Sequence, residues 1–486
     1  MLTSLLLLIS PAPLQEPASP MPLRVEDVVR LVQKNGPSIR QAQLAALSAK
    51  GGVREAQGAF DPVFFADVTY SYLEQPLSGF FSTLPGIGDE SESTVVSASQ
   101  GIRGMLQSGA TYSLSLKEDD SSFNYLPEDQ ANASLNFSFT QPLLRGGWSL
   151  TNTQNLITAR IAQEKAQTGI QQANEESVQA AVNAYWDLAL ALEDAEVKDF
   201  GLKMAKELRD VTQARFQVGA VAEVEVVQTE ADIASRTDAL LTAENTVQVA
   251  QDGLRLAIFG LDSAGDWELS FLPISALPEA VTVDLSWEDA FQVALLARSS
   301  LKQLRLDLEQ AKLNWEVAVE NTKPKLDFVT TGNSYSQSER WQQSVRPILD
   351  FDFPGYSAGF VFEIPFGNDQ YQGTVTRTRY AKELAERTYQ DAEHQVASEV
   401  RDAVRSVNYL SARVSATSQA TRVATRQLDA EERRLQEGVS TNFQLLQFQN
   451  DLLTAKTAEL GARTAYAKAL AQLQSVQGLS VVDGDS

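Results

Sequence analysis

The sequence predicts a mainly α-helical protein with a β-barrel portion, built by using one helix–β-hairpin–long helix–turn–helix unit twice. Three observations carry that prediction. The 486-residue chain repeats itself in order. Val25-Glu26-Asp27 returns as Trp287-Glu288-Asp289, and the alternating run that closes at Pro142 returns as one that closes at Pro365. Val178, Val182, Tyr185 and Leu188 return as Val400, Val404, Val407 and Leu410, and Gly219, Gln228 and Asp232 as Gly438, Gln447 and Asp451. Beyond the first block the copies lie about 220 residues apart, the spacing of a duplicated structural unit and not of a short solenoid period. Within each copy the apolar period changes from near 3.5 to 2 and back. Each copy also holds one helical stretch far longer than the helices of ordinary globular domains.

Taken in order, residues 1–24 form a leader. Leu2 to Ile9 is apolar and Ser10-Pro11-Ala12-Pro13 follows, the layout of a secretory signal, although no Lys or Arg precedes the apolar core. The first copy spans 25–260. A helical pattern begins at Val25 and is broken by Asn35-Gly36-Pro37, because proline cannot continue the preceding turn. At Phe60-Asp61-Pro62 the period becomes 2, and strands occupy about 63–141. Phe64, Ala66, Val68, Tyr70 and Tyr72 alternate with Phe65, Asp67, Thr69 and Ser71, and Ala131, Ala133, Leu135, Phe137 and Phe139 with small polar residues. Such alternation gives one wet face and one face buried or in lipid. Two further runs, Thr94–Met105 and Ala110–Leu116, lie between them and have no counterpart in the second copy. A long helix then runs from about Ser149 to Gln217 and stops at a tip near 219, where glycine supplies the left-handed backbone that ends a helix.

A further helix reaches Gly260, and Pro273 and Pro278 mark a non-helical joining segment at 261–285. The second copy, 286–478, repeats the order with one hairpin at about 326–365, a long helix from about Asp369 to Glu437 and a tip near 438. Residues 479–486 form a tail. Val396, Val400, Ala403, Val407, Leu410 and Val414 follow the 4-3 spacing of a coiled-coil seam. Helices this long and thin cannot bury such a seam alone.

Composition removes whole classes of function. Cysteine is absent and His394 is the one histidine. Thiol chemistry, lipid attachment through cysteine and Cys/His zinc sites are therefore out. A net charge of −23 opposes nucleic-acid binding and leaves either a plain acidic surface or an acidic, cation-attracting lumen. No apolar run is long enough for a transmembrane helix, so any membrane crossing uses strands in a closed barrel. No nucleophile, metal set or phosphate loop stands out; catalytic residues, cofactor and metal are each read as none. A few strands per chain cannot close a channel, so the chain is expected in a ring of identical copies, with a β-barrel at one end and a helical barrel at the other.

The duplicated order, the run Gln141-Pro142-Leu143-Leu144-Arg145-Gly146-Gly147, and the tips Arg215–Val221 and Arg434–Ser440 resemble the TolC family of outer-membrane efflux proteins over about 25–478. The resemblance implies a homotrimer in the outer membrane of a diderm bacterium, with a shared twelve-stranded barrel in outer-membrane lipid. It also implies a periplasmic α-helical tunnel docked on an inner-membrane transporter through a periplasmic adaptor. The function implied is a passive exit duct for efflux or secretion. A periplasmic adaptor and a filament-forming coiled-coil protein are the alternatives. Val218, Gly219, Ala220, Glu437, Gly438 and Val439 become the expected adaptor contact. The family's best-known member has two aspartates, six and nine positions after the second tip glycine, that ring the entrance. Here those positions hold Gln444 and Gln447, and the first copy places Glu225 and Gln228 equivalently. These four form the expected entrance and gate. The extra hairpin, Thr94 to Leu116, is expected outside the core strands, because widening one copy alone breaks the internal symmetry.

Overall fold

The computed structural model describes residues 20–76, 90–123, 130–147, 150–260, 267–279, 286–338, 348 and 350–479. The leader ahead of Pro20, both ends of the joining segment and most of the tail lie outside these. In chain order the elements are β1 (Met21–Leu23), α1 (Val25–Asn35), α2 (Pro37–Gly58), β2 (Val63–Pro76), β3 (Glu90–Met105), β4 (Thr111–Phe123), β5 (Gln130–Pro142), α3 (Leu150–Gln217) and α4 (Glu223–Phe259). There follow β6 (Phe271–Pro273), α5 (Trp287–Ala297), α6 (Ser299–Glu320), β7 (Lys325–Ser338), β8 (Pro354–Glu363), α7 (Asp369–Gln436) and α8 (Asn442–Val476). No described helix is long and apolar enough to cross a membrane.

The chain divides into two units. One comprises Met1–Ala46, Ala166–Gln303 and Gln390–Ser486, and includes two apolar cores of the same design. In the first, Val28, Val29 and Val32 of α1 meet Val178, Val182, Tyr185 and Leu188 of α3 and Leu254 and Ile258 of α4. In the second, Ala290 and Ala294 of α5 meet Val400, Val404 and Val407 of α7 and Tyr466 and Leu473 of α8. The repeated seam residues therefore occupy equivalent places. The repeated Glu-Asp pairs do as well, since both open a helix. Asp27 accepts from the Arg24 amide at 3.2 Å, and the Asp289 amide donates to Ser286 Oγ at 3.3 Å. Acidic side chains in a first turn also complement the helix dipole.

Among the described residues, the first core has an attachment the second lacks. Parallel strands β1 and β6 pair Met21 with Phe271 and Leu23 with Pro273. The buried Tyr185 hydroxyl donates to the Leu23 carbonyl (3.1 Å) and accepts from the Ser275 amide (3.0 Å). Gln251 pairs with Phe271 as a strand would, its amide donating to the Phe271 carbonyl and its carbonyl accepting from the Phe271 amide.

The other unit, Leu47–Lys165 and Leu304–Tyr389, contains one six-stranded antiparallel sheet in the order β2-β3-β4-β5-β7-β8. Paired residues share a face in such a sheet. Phe64, Ile102, Leu114, Phe137, Gly332 and Tyr356 lie in one row across all six strands. The neighbouring row, on the opposite face, is Phe65, Gly101, Ser115, Asn136, Asn333 and Gly355. One face is thus largely apolar and the other largely polar.

This corrects the expected place of the extra hairpin. β3 and β4 lie between β2 and β5, paired on both sides, with Tyr112 and Leu114 on the apolar face. Internal symmetry is a poor guide here because backbone pairing needs only matching alternation and register, not an equal strand count in each copy.

Candidate functional site: the glycine-ended helix pairs

α3 and α7, each 68 residues long, end in the same way. Gly219 and Gly438 take φ of +75° and +77°. That is the left-handed region, which glycine enters without a Cβ clash. The Ala220 amide donates to the Arg215 carbonyl at 2.8 Å and the Val439 amide to the Arg434 carbonyl at 3.0 Å. These bonds satisfy carbonyls that the helix leaves open at its end. The expected contact residues Val218 and Val439 are 80% and 61% exposed, and Gly219, Ala220, Glu437 and Gly438 are exposed beside them. One apolar side chain is thus held in solvent at each of the two turns.

Just behind the tips the helices are clasped, in part by residues that local sequence pattern does not single out. Asn442 is buried at the start of α8, and its amide donates to Thr212 Oγ1 of α3 (3.0 Å) and to Glu225 Oε2 of α4 (2.9 Å). Arg215 of α3 donates to the Leu435 carbonyl near the end of α7 at 3.3 Å. A helix dipole favours a cation at that end. The buried Glu431 carboxylate accepts from the Ser440 hydroxyl and pairs with Arg434 at 3.1 Å. Met204 and Leu208 of α3, Leu428 and Leu435 of α7 and Leu445 and Leu446 of α8 fill the space between with apolar contacts.

α4 contributes no residue to that apolar cluster. It is held instead through Arg236, which is 7% exposed and pairs with Asp232 at 2.7 Å. Arg236 also donates to the Gly201 carbonyl of α3 and to Gln449 and Asn450 of α8. Hydrogen bonds to a charged group such as this guanidinium are worth about 1.5–3 kcal/mol each.

Of the expected entrance residues, Glu225 is half-buried in the clasp. Gln444 is exposed in the first turn of α8, its side-chain oxygen 3.1 Å from Ser440 Oγ and its amide capped by Thr441 Oγ1. Gln447 and Gln228 are exposed one turn further along α8 and α4. The structure joins Glu225 to the start of α8 through Asn442 and leaves Gln228, Gln444 and Gln447 facing solvent. Glu432 is a further carboxyl group nearby: burial raises its pKa, and Asp429 and Glu207 push it the same way. Among the described residues no group of three His, Cys, Asp or Glu side chains is placed to hold a metal.

The family model for outer membrane efflux proteins matches the chain in two blocks, residues 28–258 and 290–479. The chain belongs to the outer membrane efflux protein family. Members of that family are channels, so this efflux-family chain is a channel protein and not an enzyme. Neither the adaptor nor the filament alternative is the family matched. No curated protein matches the chain by sequence. Solved structures match its fold over most of both chains. The Campylobacter jejuni CmeC outer membrane channel is 16% identical, with 93% of this chain and 85% of that chain covered and a TM-score of 0.68. VceC from Vibrio cholerae is 18% identical, covering 94% and 96%, with a TM-score of 0.67. MtrE from Neisseria gonorrhoeae, solved in an open state, is 15% identical, covering 94% and 89%, with a TM-score of 0.63. In this efflux-family protein the helix-end clasp joins α3 and α4 of the first copy to α7 and α8 of the second.

Proposed function

We propose that three copies of this chain form a passive exit duct in the outer membrane, with the sheet closing a shared barrel and the long helices forming a periplasmic tunnel. One observation carries the reading. A chain with two 68-residue seamed helices also holds a sheet that is apolar on one face, polar on the other and unpaired at both edges among the described residues. Bilayer-spanning strands must pair completely, so edge β2 of one copy meets edge β8 of the next. Hydrocarbon covers the apolar face and water fills the polar one. The chain supplies no energy source, and a pump in the inner membrane drives transport through a periplasmic adaptor. The adaptor seats on Val218, Gly219, Ala220, Glu437, Gly438 and Val439.

The resting entrance is held by the Asn442–Thr212, Asn442–Glu225 and Arg215–Leu435 bonds, with Gln444 and Gln447 lining the mouth. Each bond is worth about 0.5–3 kcal/mol, so an adaptor that prefers the splayed helices shifts the balance by its difference in affinity for the two states. Single-channel recording in a planar bilayer under a salt gradient tests this. Discrete steps are expected, with a reversal potential favouring cations. Asn442→Ala and the Gln444→Ala/Gln447→Ala double variant are expected to raise conductance. Silence from folded wild type and from both variants would overturn the channel reading. Steps that are unchanged in both variants would remove these residues from the gate.

A further inference from the structure

We infer that each copy contributes six strands to the barrel wall and not four, so that three copies close an eighteen-stranded barrel with an unusually wide exit. The inference rests on the trimeric barrel reading and deepens it. The hairpin β3–β4 is bonded on both sides along its length, through β3 to β2 and through β4 to β5, and it is the link between β2 and the rest of the sheet. Its turn is also built into the base of the sheet. Leu106 and Ala110 close the turn, Ala110 is fully buried, and Gly109 takes φ +86°. A Cβ at Gly109 would run into the Gly146 carbonyl and the Asn152 side chain. Only glycine therefore fits against the elbow that leads into α3. Gln141 at the end of β5 donates to the Ser108 carbonyl (3.1 Å) and accepts from the Ser108 hydroxyl (3.2 Å). A cap folded aside has no need of such an anchor.

The apolar band shows that β3 and β4 belong to the same tilted wall. Phe64 and Tyr356 share a row, yet Phe64 lies at the helix-proximal start of β2 and Tyr356 at the helix-distal start of β8. The apolar run therefore slides toward the helices in crossing the sheet, from Phe64–Tyr72 on β2 through Tyr112–Leu116 on β4 to Tyr356–Phe362 on β8. A slide of about seven residues, roughly 24 Å, over five inter-strand gaps of about 4.8 Å each corresponds to a tilt near about 45°. The inserted strands follow that slide, with their apolar residues at the height the tilt demands. At such a tilt an eighteen-stranded barrel is about 39 Å across its backbone and a twelve-stranded one about 26 Å, which more than doubles the cross-section. The added strands present Arg103, Ser113, Ser115, Lys117 and Asp119 on the polar face, so the extra width is lined for water. The barrel then sets no size limit on cargo that has already passed the helical entrance.

The absence of cysteine makes a clean test available. Single cysteines replace Tyr112, Ser113, Leu114 and Ser115 on β4, and Phe137 and Ser138 on β5, in the full-length protein. Each is spin-labelled in lipid vesicles and its relaxation by oxygen and by an aqueous nickel complex is compared. Oxygen is expected to dominate at 112, 114 and 137, and nickel at 113, 115 and 138. Nickel dominance at all four β4 positions, with alternation kept on β5, would place the hairpin outside the wall and overturn the inference while the barrel reading stands. Loss of alternation on both strands would overturn both. Cryo-electron microscopy of the unmodified protein in nanodiscs gives a second readout independent of any substitution. Eighteen strands around the axis are expected, and twelve would sink the proposal.

Discussion

In the first copy α1 packs on α3 and α4 through Val28, Val29 and Val32; in the second α5 packs on α7 and α8 through Ala290 and Ala294. The tips end on glycines of nearly equal φ, at +75° and +77°. The strand segments are different: β2 to β5 belong to the first copy, and only β7 and β8 to the second. Helical packing in a seam constrains every third and fourth residue of both copies, so the duplicated pattern survives there. A sheet accepts an additional hairpin wherever alternation and register continue, so the duplication leaves strand number free. The first copy also carries the Tyr185 attachment, for which the second has Val407.

That contrast can be sharpened by mutation. The largest expected effect lies where the copies differ. Tyr185→Phe removes the hydroxyl that serves both Leu23 and Ser275 and should cost about 1–3 kcal/mol, read as a lowered midpoint of thermal unfolding by circular dichroism in detergent. A neutral result would mean that water replaces the hydroxyl. Next come the tips, where the copies agree. A Cβ added at Gly219 or Gly438 meets no neighbouring atom within 4 Å, so Gly219→Ala and Gly438→Ala feel only left-handed backbone strain. Each should lose about 1–2 kcal/mol, and the two losses should match. Unequal losses would show that the tips are not equivalent.

The smallest effect concerns Glu175 of α3, which accepts from the buried Ser299 hydroxyl at the start of α6 (2.7 Å). Burial raises its carboxyl pKa, partly offset by the Ser299 hydrogen bond and by Lys302 and Arg298, with Glu176 adding to the rise. The folded state then holds its proton to higher pH than the unfolded chain does, so stability falls as pH climbs from the ordinary carboxylate range through the raised value. Glu175→Gln is expected to unfold at a higher temperature than wild type at pH 8, with the difference gone near pH 4. An equal difference at both pH values would assign the effect to packing.

Local pattern made much of the fold legible. The long helix expected from about Ser149 is α3 from Leu150, because its 4-3 seam and its terminal glycine are both written within a few turns. The expected strand residues Phe64 to Tyr72 and Ala131 to Phe139 lie in β2 and β5, because a period of 2 specifies a strand by itself. The candidate site was legible only in part. Counting from the tip glycines pointed to Glu225 and Gln444, and the tip run took in Arg215, but neither pointed to Asn442 or Thr212. Those residues meet partners in the other copy, far along the chain, and no spacing rule reaches so far.

By itself the sequence determined the two-fold repeat, the helix and strand identities, the helix ends and the absence of thiol chemistry, since each depends on neighbours along the chain. The tertiary structure alone decided that β3 pairs with both β2 and β4, that β5 passes its pairing to β7 across the two copies, and that one asparagine clasps two helices of the other copy. These are choices among distant partners of equal local merit. They are settled by which arrangement leaves the fewest backbone and buried polar groups unpaired while gathering the apolar residues onto one face.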